Sequence, residues 1–195
     1  INRLNPLVKG WEKKPMSLST VSKVLKTLEE DLIISRKDTI RLLQPDKLLE
    51  KLDENFVLPN MKERLRLKVP EDRGPLRKLL LNLSRKLGLP LAASGMSSVG
   101  QYAVMQRGDM LSVYCPCIEK LLSLLPGSQT DRFPNLELIE TDDETVYFDS
   151  RNKGDFRWAS PVQVYFELMT GDKRDKETAE QVMSFILKNY QQAQP

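Results

Sequence analysis

The chain has 195 residues, of which 40% are hydrophobic and 29% are charged, with a net charge of +3 and no histidine. This length allows one or two domains with real cores. No run approaches the roughly 18–20 apolar residues of a membrane helix, and no signal peptide is visible, so we expect a cytoplasmic protein without a membrane partner. The absence of histidine excludes acid–base and triad chemistry that depends on it.

Charge is distributed unevenly along the chain. Residues 1–86 contain 20 Lys and Arg against 12 Asp and Glu, a net charge of +8, whereas residues 87–195 contain 10 against 15, a net charge of −5. Affinity for DNA comes largely from phosphate neutralisation and counterion release, so this asymmetry indicates a polyanion partner for the basic part. Lysine-rich solvated helices give a similar excess, and the charge alone does not decide between the two.

Residues 17–32 carry the clearest helical pattern. Apolar residues recur at offsets of three, four, seven and eleven, which places them on one face of a 3.6-residue helix: Val21, Val24, Leu25, Leu28 and Leu32. Ser17 or Ser19 can cap the start, because a short side-chain oxygen accepts a hydrogen bond from a free first-turn N–H. An amphipathic helix is therefore predicted here.

The polar face of this helix combines small hydroxyls near its start with lysines one turn later: Ser19, Thr20, Ser22, Lys23, Lys26 and Thr27. In the major groove of DNA, such hydroxyls reach base edges or phosphates, and lysines neutralise phosphates. Taken alone, the pattern is better explained as an ordinary surface helix with a solvated polar face, because such helices are common.

A short basic hairpin is predicted directly after the helix. Residues 32–34 are β-prone, residues 35–38 are polar and turn-like, and residues 39–43 resume a strand. Helix, strand, basic turn and strand is the order of a recognition helix and wing in a winged helix-turn-helix, and a basic tip suits backbone or minor-groove contact. The predicted DNA-binding residues are Ser17, Ser19, Thr20, Ser22, Lys23, Lys26, Arg36, Lys37 and Arg41.

Two features of a complete winged helix are not found in this stretch. Many winged helices end the recognition helix with a left-handed Gly; here Asp31 takes that place, and Asp tolerates the conformation better than most residues. The 16 residues before Ser17 contain Pro6, Gly10 and Pro15 and cannot supply two supporting helices. We expect those helices upstream of Ile1, or else a reduced variant of the domain.

A domain boundary is predicted near Pro59. Before it, a helix over residues 47–56 begins at Gln44-Pro45-Asp46. After it, apolar and basic residues alternate over 63–69, which is typical of a half-buried strand. The arginine face of this strand can extend a nucleic-acid surface, but we favour a charged edge strand that resists aggregation. Residues 1–58 are therefore predicted to form a winged helix-turn-helix DNA-binding domain, and residues 59–195 a C-terminal α/β domain.

Strands and helices alternate in the C-terminal part, which indicates an α+β or α/β-like fold. Helices are predicted over 76–87 with Gly88 as the stop, over 97–105, over 118–125, over 160–169 with Ser160 as N-cap and Pro161 at the first position, and over 176–191. Strands are predicted over 90–94, 111–115, 136–139 and 145–148, with a turn at Gly95. We read the acidic residues 142–144 as a solvated hairpin turn.

Few residues in this part point to chemistry. The Ser94-Gly95 turn before a helix can bind phosphate, as in nucleotidyltransferases, but the paired carboxylates that hold magnesium in such enzymes do not follow it. Cys115 and Cys117 have no partner set for zinc, so two reduced thiols are preferred. We expect no catalysis, no cofactor and no metal.

Two further segments have simple structural interpretations. Trp158 precedes a predicted helix N-cap, so we favour a hydrophobic staple against the first turn of that helix over a ligand-stacking role. Residues 173–176 are charged, and a solvated loop before the last helix explains them as well as a contact for a partner does.

The chain resembles the AbiEi-like antitoxins of type IV toxin–antitoxin systems, which pair an N-terminal winged helix-turn-helix with a C-terminal α/β domain. Three stretches carry the resemblance: 17–30 with 41–49; 92–98 (AASGMSS) with Tyr102; and 158–168 (WASPVQVYFEL) with 171–174 and 177–180. They span nearly the whole chain. The third stretch is fairly specific in residue order, whereas the first is shared by many winged helices.

The resemblance implies a DNA-binding transcriptional regulator that represses its own operon. Its partners would be duplex operator DNA and, functionally rather than by direct contact, a nucleotidyltransferase-like toxin. It also implies that the C-terminal domain resembles a minimal nucleotidyltransferase-like core, here without the acid pair. Two alternatives stay open: a nucleotidyltransferase-like enzyme or nucleotide-binding domain acting through the 94–98 turn, and a protein-interaction module that does not bind DNA.

Overall fold

The computed structural model describes residues 17–104, 108, 110–154 and 156–192, and the described part is a mixed α+β fold. Its helices are α1 (Leu18–Glu30), α2 (Pro45–Asp53), α3 (Arg73–Leu87), α4 (Gly95–Ser98), α5 (Ile118–Leu122), α6 (Pro161–Met169) and α7 (Lys173–Gln192). Its strands are β1 (Ile34–Ser35), β2 (Arg41–Leu42), β3 (Glu63–Lys68), β4 (Ala92–Ala93), β5 (Leu111–Cys115), β6 (Ser128–Gln129), β7 (Leu136–Glu140), β8 (Arg151–Lys153) and β9 (Phe156–Trp158). Short 3-10 helices occupy Val99–Gln101 and Glu144–Tyr147.

Five strands form the central sheet in the order β4-β5-β7-β3-β6. Strands β5 and β7 run parallel, and the other neighbouring pairs run antiparallel. Two separate hairpins, β1–β2 and β8–β9, complete the strand pairing among the described residues. None of the helices in the described ranges is long and apolar enough to cross a membrane.

One hydrophobic cluster lies on one face of this sheet, a second lies among the C-terminal helices, and a small third cluster lies on the other face of the sheet. Successive strand residues point to opposite faces, so Val113 on β5 joins the first cluster while Tyr114 points to the other side. The first cluster contains the buried leucines of α3 and the inward residues of β3 and β7. The second contains residues of α6 and α7 together with Leu49 of α2. Thus α2 packs on the C-terminal helices, although the predicted boundary near Pro59 stays a prediction.

Most helices and strands form where the sequence predicts them. The alternation over 63–69 gives β3, whose Leu65, Leu67 and Val69 are buried. Helix α3 ends at Gly88, which has a left-handed φ of 63°, and α6 has Ser160 as its N-cap with the side chain accepting from the Gln163 N–H. These elements depend on local signals, namely periodicity, caps and glycine conformation.

Several predicted elements of the sheet domain are wrong. Residues 145–148 are not a strand: Asp143 caps the 3-10 helix Glu144–Tyr147 by accepting from the Thr145 N–H at 3.0 Å, so the acidic residues 142–144 do not form a hairpin turn. Gly95 is the first residue of α4 rather than a turn. The helix predicted over 97–105 is replaced by α4 and a 3-10 helix ending at Gln101, and Met105 lies outside the described residues.

Strand β3 is not an edge strand, because it pairs with β7 on one side and with β6 at Leu67 and Lys68 on the other. Helix α5 ends at Leu122 rather than at residue 125, and β6 and the β8–β9 hairpin are not among the predicted elements. Helix α7 begins at Lys173, so residues 173–176 form its first turn instead of a solvated loop, and Asp175 is buried there.

Trp158 is not a staple for α6. It lies on β9 in the first hydrophobic cluster, in edge-to-face contact with Phe156, and its indole N–H donates to the Lys153 carbonyl. The Arg77 guanidinium of α3 stacks over the Trp158 ring, 5.6 Å from the ring centroid. The residue therefore joins the β8–β9 hairpin to α3 rather than to the helix that follows it in sequence.

Candidate nucleic-acid interface and the polar centre of the sheet domain

Helix α1 begins with the predicted cap. The Ser17 hydroxyl accepts a hydrogen bond from the Thr20 N–H at 3.1 Å, and it also lies 2.8 Å from the hydroxyls of Ser19 and Thr20. No acidic residue occupies the first turn. The positive end of the helix dipole is therefore not offset locally, and it is available to an anion such as a phosphate.

The polar face of α1 is open to solvent. Ser19, Ser22, Lys23 and Lys26 are all exposed, and at 100° per residue they lie on one side of the helix. Lys26 pairs with Glu30 at 3.6 Å, but both side chains are largely exposed, so this ion pair contributes little to stability. Lys23 has no salt bridge among the described residues.

The hairpin presents the remaining predicted contacts. Ile34 pairs with Leu42 and Ser35 with Arg41, which leaves residues 36–40 as the loop. The Arg36 guanidinium reaches Glu29 at 3.9 Å, so the loop lies beside the last turn of α1. Lys37 and Arg41 are exposed and have no salt bridge within the described ranges. All nine predicted DNA-binding residues are thus on the surface, which is a requirement for contact and not a demonstration of it.

The residue with a left-handed backbone after α1 is Leu32, and not Asp31 as predicted. Asp31 has a φ of −79°, and Leu32 has a φ of +57°. Leu32 is 65% exposed, and its carbonyl accepts a hydrogen bond from the Gln44 side chain at 2.9 Å. Asp31 instead forms a salt bridge with Lys51 of α2. The side-chain contacts of residues 31 and 32 therefore hold α2 against the end of α1.

The hairpin is also tied to the C-terminal domain. The Tyr190 hydroxyl of α7 donates to the Leu42 carbonyl at 2.8 Å, and Ile33 and Ile34 are buried at the base of the hairpin. Sequence reasoning missed Tyr190, because nothing local to α7 marks it as a contact for a strand 148 residues away.

The apolar face of α1 is only partly covered by the described residues. Leu18 is 72% exposed and Val24 is 53% exposed, while Val21, Leu25 and Leu28 are half-buried. In a complete winged helix, two further helices would lie against this face. Residues 1–16, which precede α1 in the chain, lie outside the described ranges.

A buried carboxylate occupies the polar centre of the sheet domain. Glu167 of α6 is buried, and its Oε1 accepts from the Tyr114 hydroxyl at 3.1 Å and from the Gln163 amide at 2.9 Å. The backbone N–H groups of Gly95 and Met96 also donate to this carboxylate. Burial raises the pKa of Glu167, and these four hydrogen bonds act in the opposite direction.

The start of α4, where the sequence predicts a phosphate-binding turn, is thereby filled from inside the protein. A Cβ added at Gly95 would lie 2.5 Å from Glu167 Cδ and Oε2, so only glycine lets the carboxylate approach. The N–H groups that would bind a phosphate in the nucleotidyltransferase-like interpretation already donate to Glu167. The hydroxyls of Ser97 and Ser98 are also used internally, accepting from the N–H groups of Ser112 and Ala159.

On the sheet face that carries Tyr114, the neighbours of Glu137 on the adjacent strands are Arg66 and Ser112. On the face of the sheet that carries Tyr114, β5 also contributes Ser112, whose hydroxyl donates to Glu137 of β7 at 2.8 Å. Arg66 of β3 donates to the other Glu137 oxygen at 3.2 Å. Glu137 is thus satisfied by two neighbouring strands. Among the described residues no group of three or more acidic or cysteine side chains is placed to hold a metal ion.

The two cysteines are unpaired, as predicted. Cys115 is buried at the end of β5, and burial raises the pKa of its thiol to about 12. A thiol with so high a pKa carries almost no thiolate at neutral pH and is therefore a poor nucleophile and a poor metal ligand.

One cavity of about 500 Å³ lies where the parallel strands β5 and β7 end. It is lined by Pro90, Pro116, Thr141, Asp142, Glu144, Tyr147 and Phe148. Asp142 at its rim already pairs with Lys62 at 3.1 Å, and the Thr141 hydroxyl donates to the Asn60 carbonyl.

Comparison of the chain with models of known protein families, with curated proteins and with solved structures found no match. The functional assignment consequently depends on the residues and their geometry.

Proposed function

We propose that this protein is a DNA-binding transcriptional regulator that reads duplex DNA with α1 and the β1–β2 hairpin. The observation that carries the proposal is the exposed polar face of α1 directly beside an exposed basic hairpin loop, in the order of a recognition helix and wing. In this arrangement α1 enters the major groove. Ser19, Ser22 and Lys23 face base edges and phosphates, and the hairpin contacts the backbone or the minor groove.

The small net charge of this surface determines how it would bind. Residues 17–43 contain five Lys and Arg and four Asp and Glu, and two of the acids, Glu29 and Glu30, pair with Arg36 and Lys26. Five cations that each neutralise one phosphate give a salt slope of at most about 4.5 in log–log units. Binding through this unit is therefore expected to depend on groove contacts as well as on phosphates.

The proposal extends to an antitoxin that represses its own operon and opposes a nucleotidyltransferase-like toxin without contacting it. The support for this part is the resemblance to AbiEi-like antitoxins of three stretches, namely 17–30 with 41–49, 92–98 with Tyr102, and 158–168 with 171–174 and 177–180. The C-terminal domain is then a nucleotidyltransferase-like core that does no chemistry. At the start of α4, where such a core would bind phosphate, the backbone N–H groups donate to Glu167. Strand β5 carries Ser112 and Tyr114 on the sheet face that also carries Glu137.

Fluorescence anisotropy with a labelled duplex from the promoter of the protein's own operon tests DNA reading. The variant K23A/K26A should bind more weakly, and its log–log salt slope should fall by about 1.8, or about 0.9 for each lost phosphate contact. The matched control is K120A/K188A, which removes the same charge from exposed lysines of α5 and α7.

Two results would contradict the proposal in different ways. If K23A/K26A and the control variant bind with equal affinity and slope, α1 is not the recognition helix. If the wild-type protein shows no salt-sensitive affinity for any duplex, the alternative of a protein-interaction module replaces DNA binding. Magnesium-dependent nucleotide binding in calorimetry would instead favour the enzymatic alternative, which the occupied 94–98 turn argues against.

A further inference from the structure

Helix α3 is strongly basic. Between Arg73 and Leu87 it contains five Lys and Arg and no acidic residue, although it belongs to the sheet domain rather than to the predicted DNA-binding domain. Two of these cations are used within the fold: Arg77 stacks on Trp158, and Arg73 is partly buried. The others, Lys78, Arg85 and Lys86, are exposed.

The exposed cations form one strip along the helix. Lys78, Asn82, Arg85 and Lys86 follow at offsets of four, seven and eight, which places them on the side opposite the buried leucines 76, 80 and 83. We call these four residues the α3 strip. None of its three cations forms a salt bridge within the described ranges. The strip is about 12 Å long, at 1.5 Å per residue.

Helix stability explains only part of this charge. Arg85 and Lys86 lie in the last turn, where cations interact favourably with the helix dipole. Lys78 lies in the middle of the helix and gains nothing from the dipole. No Asp or Glu occurs anywhere on α3, so the usual intrahelical ion pairs that stabilise a solvated helix are absent from it.

The chemistry of the strip fits a phosphate backbone better than a protein or a membrane. It carries no aromatic or aliphatic side chain, since Leu79 and Leu81 pack against the first hydrophobic cluster. Protein interfaces need buried anchors, and membrane-surface helices need an apolar face. Flexible cations and one amide, about 12 Å from end to end, match contacts to phosphates across a major groove of about 12 Å.

The α3 strip and the β1–β2 hairpin are held by different layers of the structure. Helix α3 covers the face of the sheet that carries Val113, whereas α6 reaches the opposite face through the hydrogen bond from Tyr114 to Glu167. Helix α7 packs on α6, and Tyr190 of α7 holds the β1–β2 hairpin. The sheet and a layer of helices, about 20 Å in total, therefore separate the strip from the hairpin that follows α1.

We propose that the α3 strip is a second, sequence-independent binding surface for duplex DNA, so that one chain bridges two DNA segments. Binding at the strip needs only the cations described above, while bridging rests in addition on the proposed function of α1. The strip would hold a second duplex, or a distant part of the same one, through phosphate contacts alone.

A bridging assay tests this inference. One duplex is fixed to beads, and the recovery of a second, labelled duplex of unrelated sequence is measured with the full chain. The variant K78Q/R85Q/K86Q should keep its affinity for the promoter duplex within about threefold and should lose recovery of the second duplex. The control K120Q/K173Q/K188Q removes the same charge from exposed lysines of α5 and α7 and should still bridge.

The two proposals fail separately. In the K23A/K26A background, binding to unrelated duplex should persist, and its log–log salt slope should fall by about 2.7 when the three strip cations are also replaced. That result supports the strip even if α1 does not read DNA. Bridging by K78Q/R85Q/K86Q at the wild-type level would overturn the inference, as would equal loss of bridging in the control variant.

Discussion

The buried carboxylate of Glu167 gives the sharpest test of the fold. It satisfies four donors, of which the Tyr114 hydroxyl and the Gln163 amide can reorient, but the Gly95 and Met96 N–H groups cannot. In Glu167→Ala the N–H of the buried Gly95 loses its partner, at about 1–3 kcal/mol, the Met96 N–H loses its partner as well, and a small cavity is added. We expect a loss of about 3–5 kcal/mol in the free energy of unfolding.

Glu167→Gln should behave very differently. Its oxygen can accept from the two N–H groups, while its amide donates to a rotated Tyr114 hydroxyl and to a flipped Gln163 amide. The charge is removed from a buried site, which offsets the weaker acceptor. We therefore expect stability within about 1 kcal/mol of wild type at neutral pH.

The pH dependence has a definite sign. Because burial raises the pKa of Glu167 in the folded protein, the folded state binds more protons than the unfolded state between the ordinary carboxyl pKa, about 4.3, and the raised value. In that window wild-type stability rises as pH falls, by at most about 1.4 kcal/mol per unit. Above the window the contribution is constant, and Glu167→Gln lacks it altogether.

Urea unfolding followed by far-UV circular dichroism, from pH 4 to pH 8, measures these effects. The difference between Glu167→Gln and wild type should shift in favour of the variant as pH rises through the window. Parallel pH curves for the two proteins, or a loss below about 1 kcal/mol in Glu167→Ala, would refute the account of a buried Glu167 with a raised pKa and four hydrogen-bond donors.

Three further predictions concern other contacts. Gly95→Ala should lower the free energy of unfolding by about 1–3 kcal/mol, because the new Cβ would lie 2.5 Å from the Glu167 side chain. The control Gly100→Ala, whose Cβ meets nothing within 4 Å, should unfold almost as wild type does. Equal urea midpoints for the two variants would contradict this. Leu32→Gly should raise the free energy of unfolding by about 0.5–1 kcal/mol. Glycine avoids the left-handed backbone penalty of about 1–2 kcal/mol at this residue and costs about 0.5–1 kcal/mol in chain entropy. A melting temperature below that of wild type would argue against strain at Leu32. Tyr190→Phe removes the hydrogen bond to the Leu42 carbonyl. Amide hydrogen exchange in residues 34–42 should therefore accelerate, while exchange in α3 stays unchanged. Unchanged exchange in the hairpin would mean that Tyr190 does not anchor it.

The candidate DNA-binding surface could be predicted because its signals are local. The periodicity over 17–32 and the Ser17 cap gave α1, and the polar run after Ile34 gave the hairpin loop. The sequence does not show which contacts hold α1 and the β1–β2 hairpin in place. Leu32 takes the left-handed conformation that Asp31 was expected to take, and Tyr190 contacts the hairpin from the other end of the chain.

The polar centre of the sheet domain could not be predicted, because its main contacts join residues that are distant in sequence. Gln163 is the one partner of Glu167 described above that lies on the same helix, whereas Tyr114 lies 53 residues away and cannot be identified from the local sequence. The Ser94-Gly95 turn looked free to bind phosphate for the same reason. Trp158 was assigned to α6, the nearest helix in sequence, whereas it packs with α3.

By itself, the sequence determined the mixed α+β class, most helices and strands, the basic and acidic halves, and the exposure of the nine residues on α1 and the hairpin. These follow from periodicity, caps and charge, which act within a few residues. Only the tertiary structure decided that Glu167 lies against Gly95 at the start of α4, that β3 lies inside the sheet, and that Tyr190 of α7 holds the β1–β2 hairpin. Those features depend on pairings between distant residues, whose geometry is fixed only when the sheet and the hydrophobic clusters assemble.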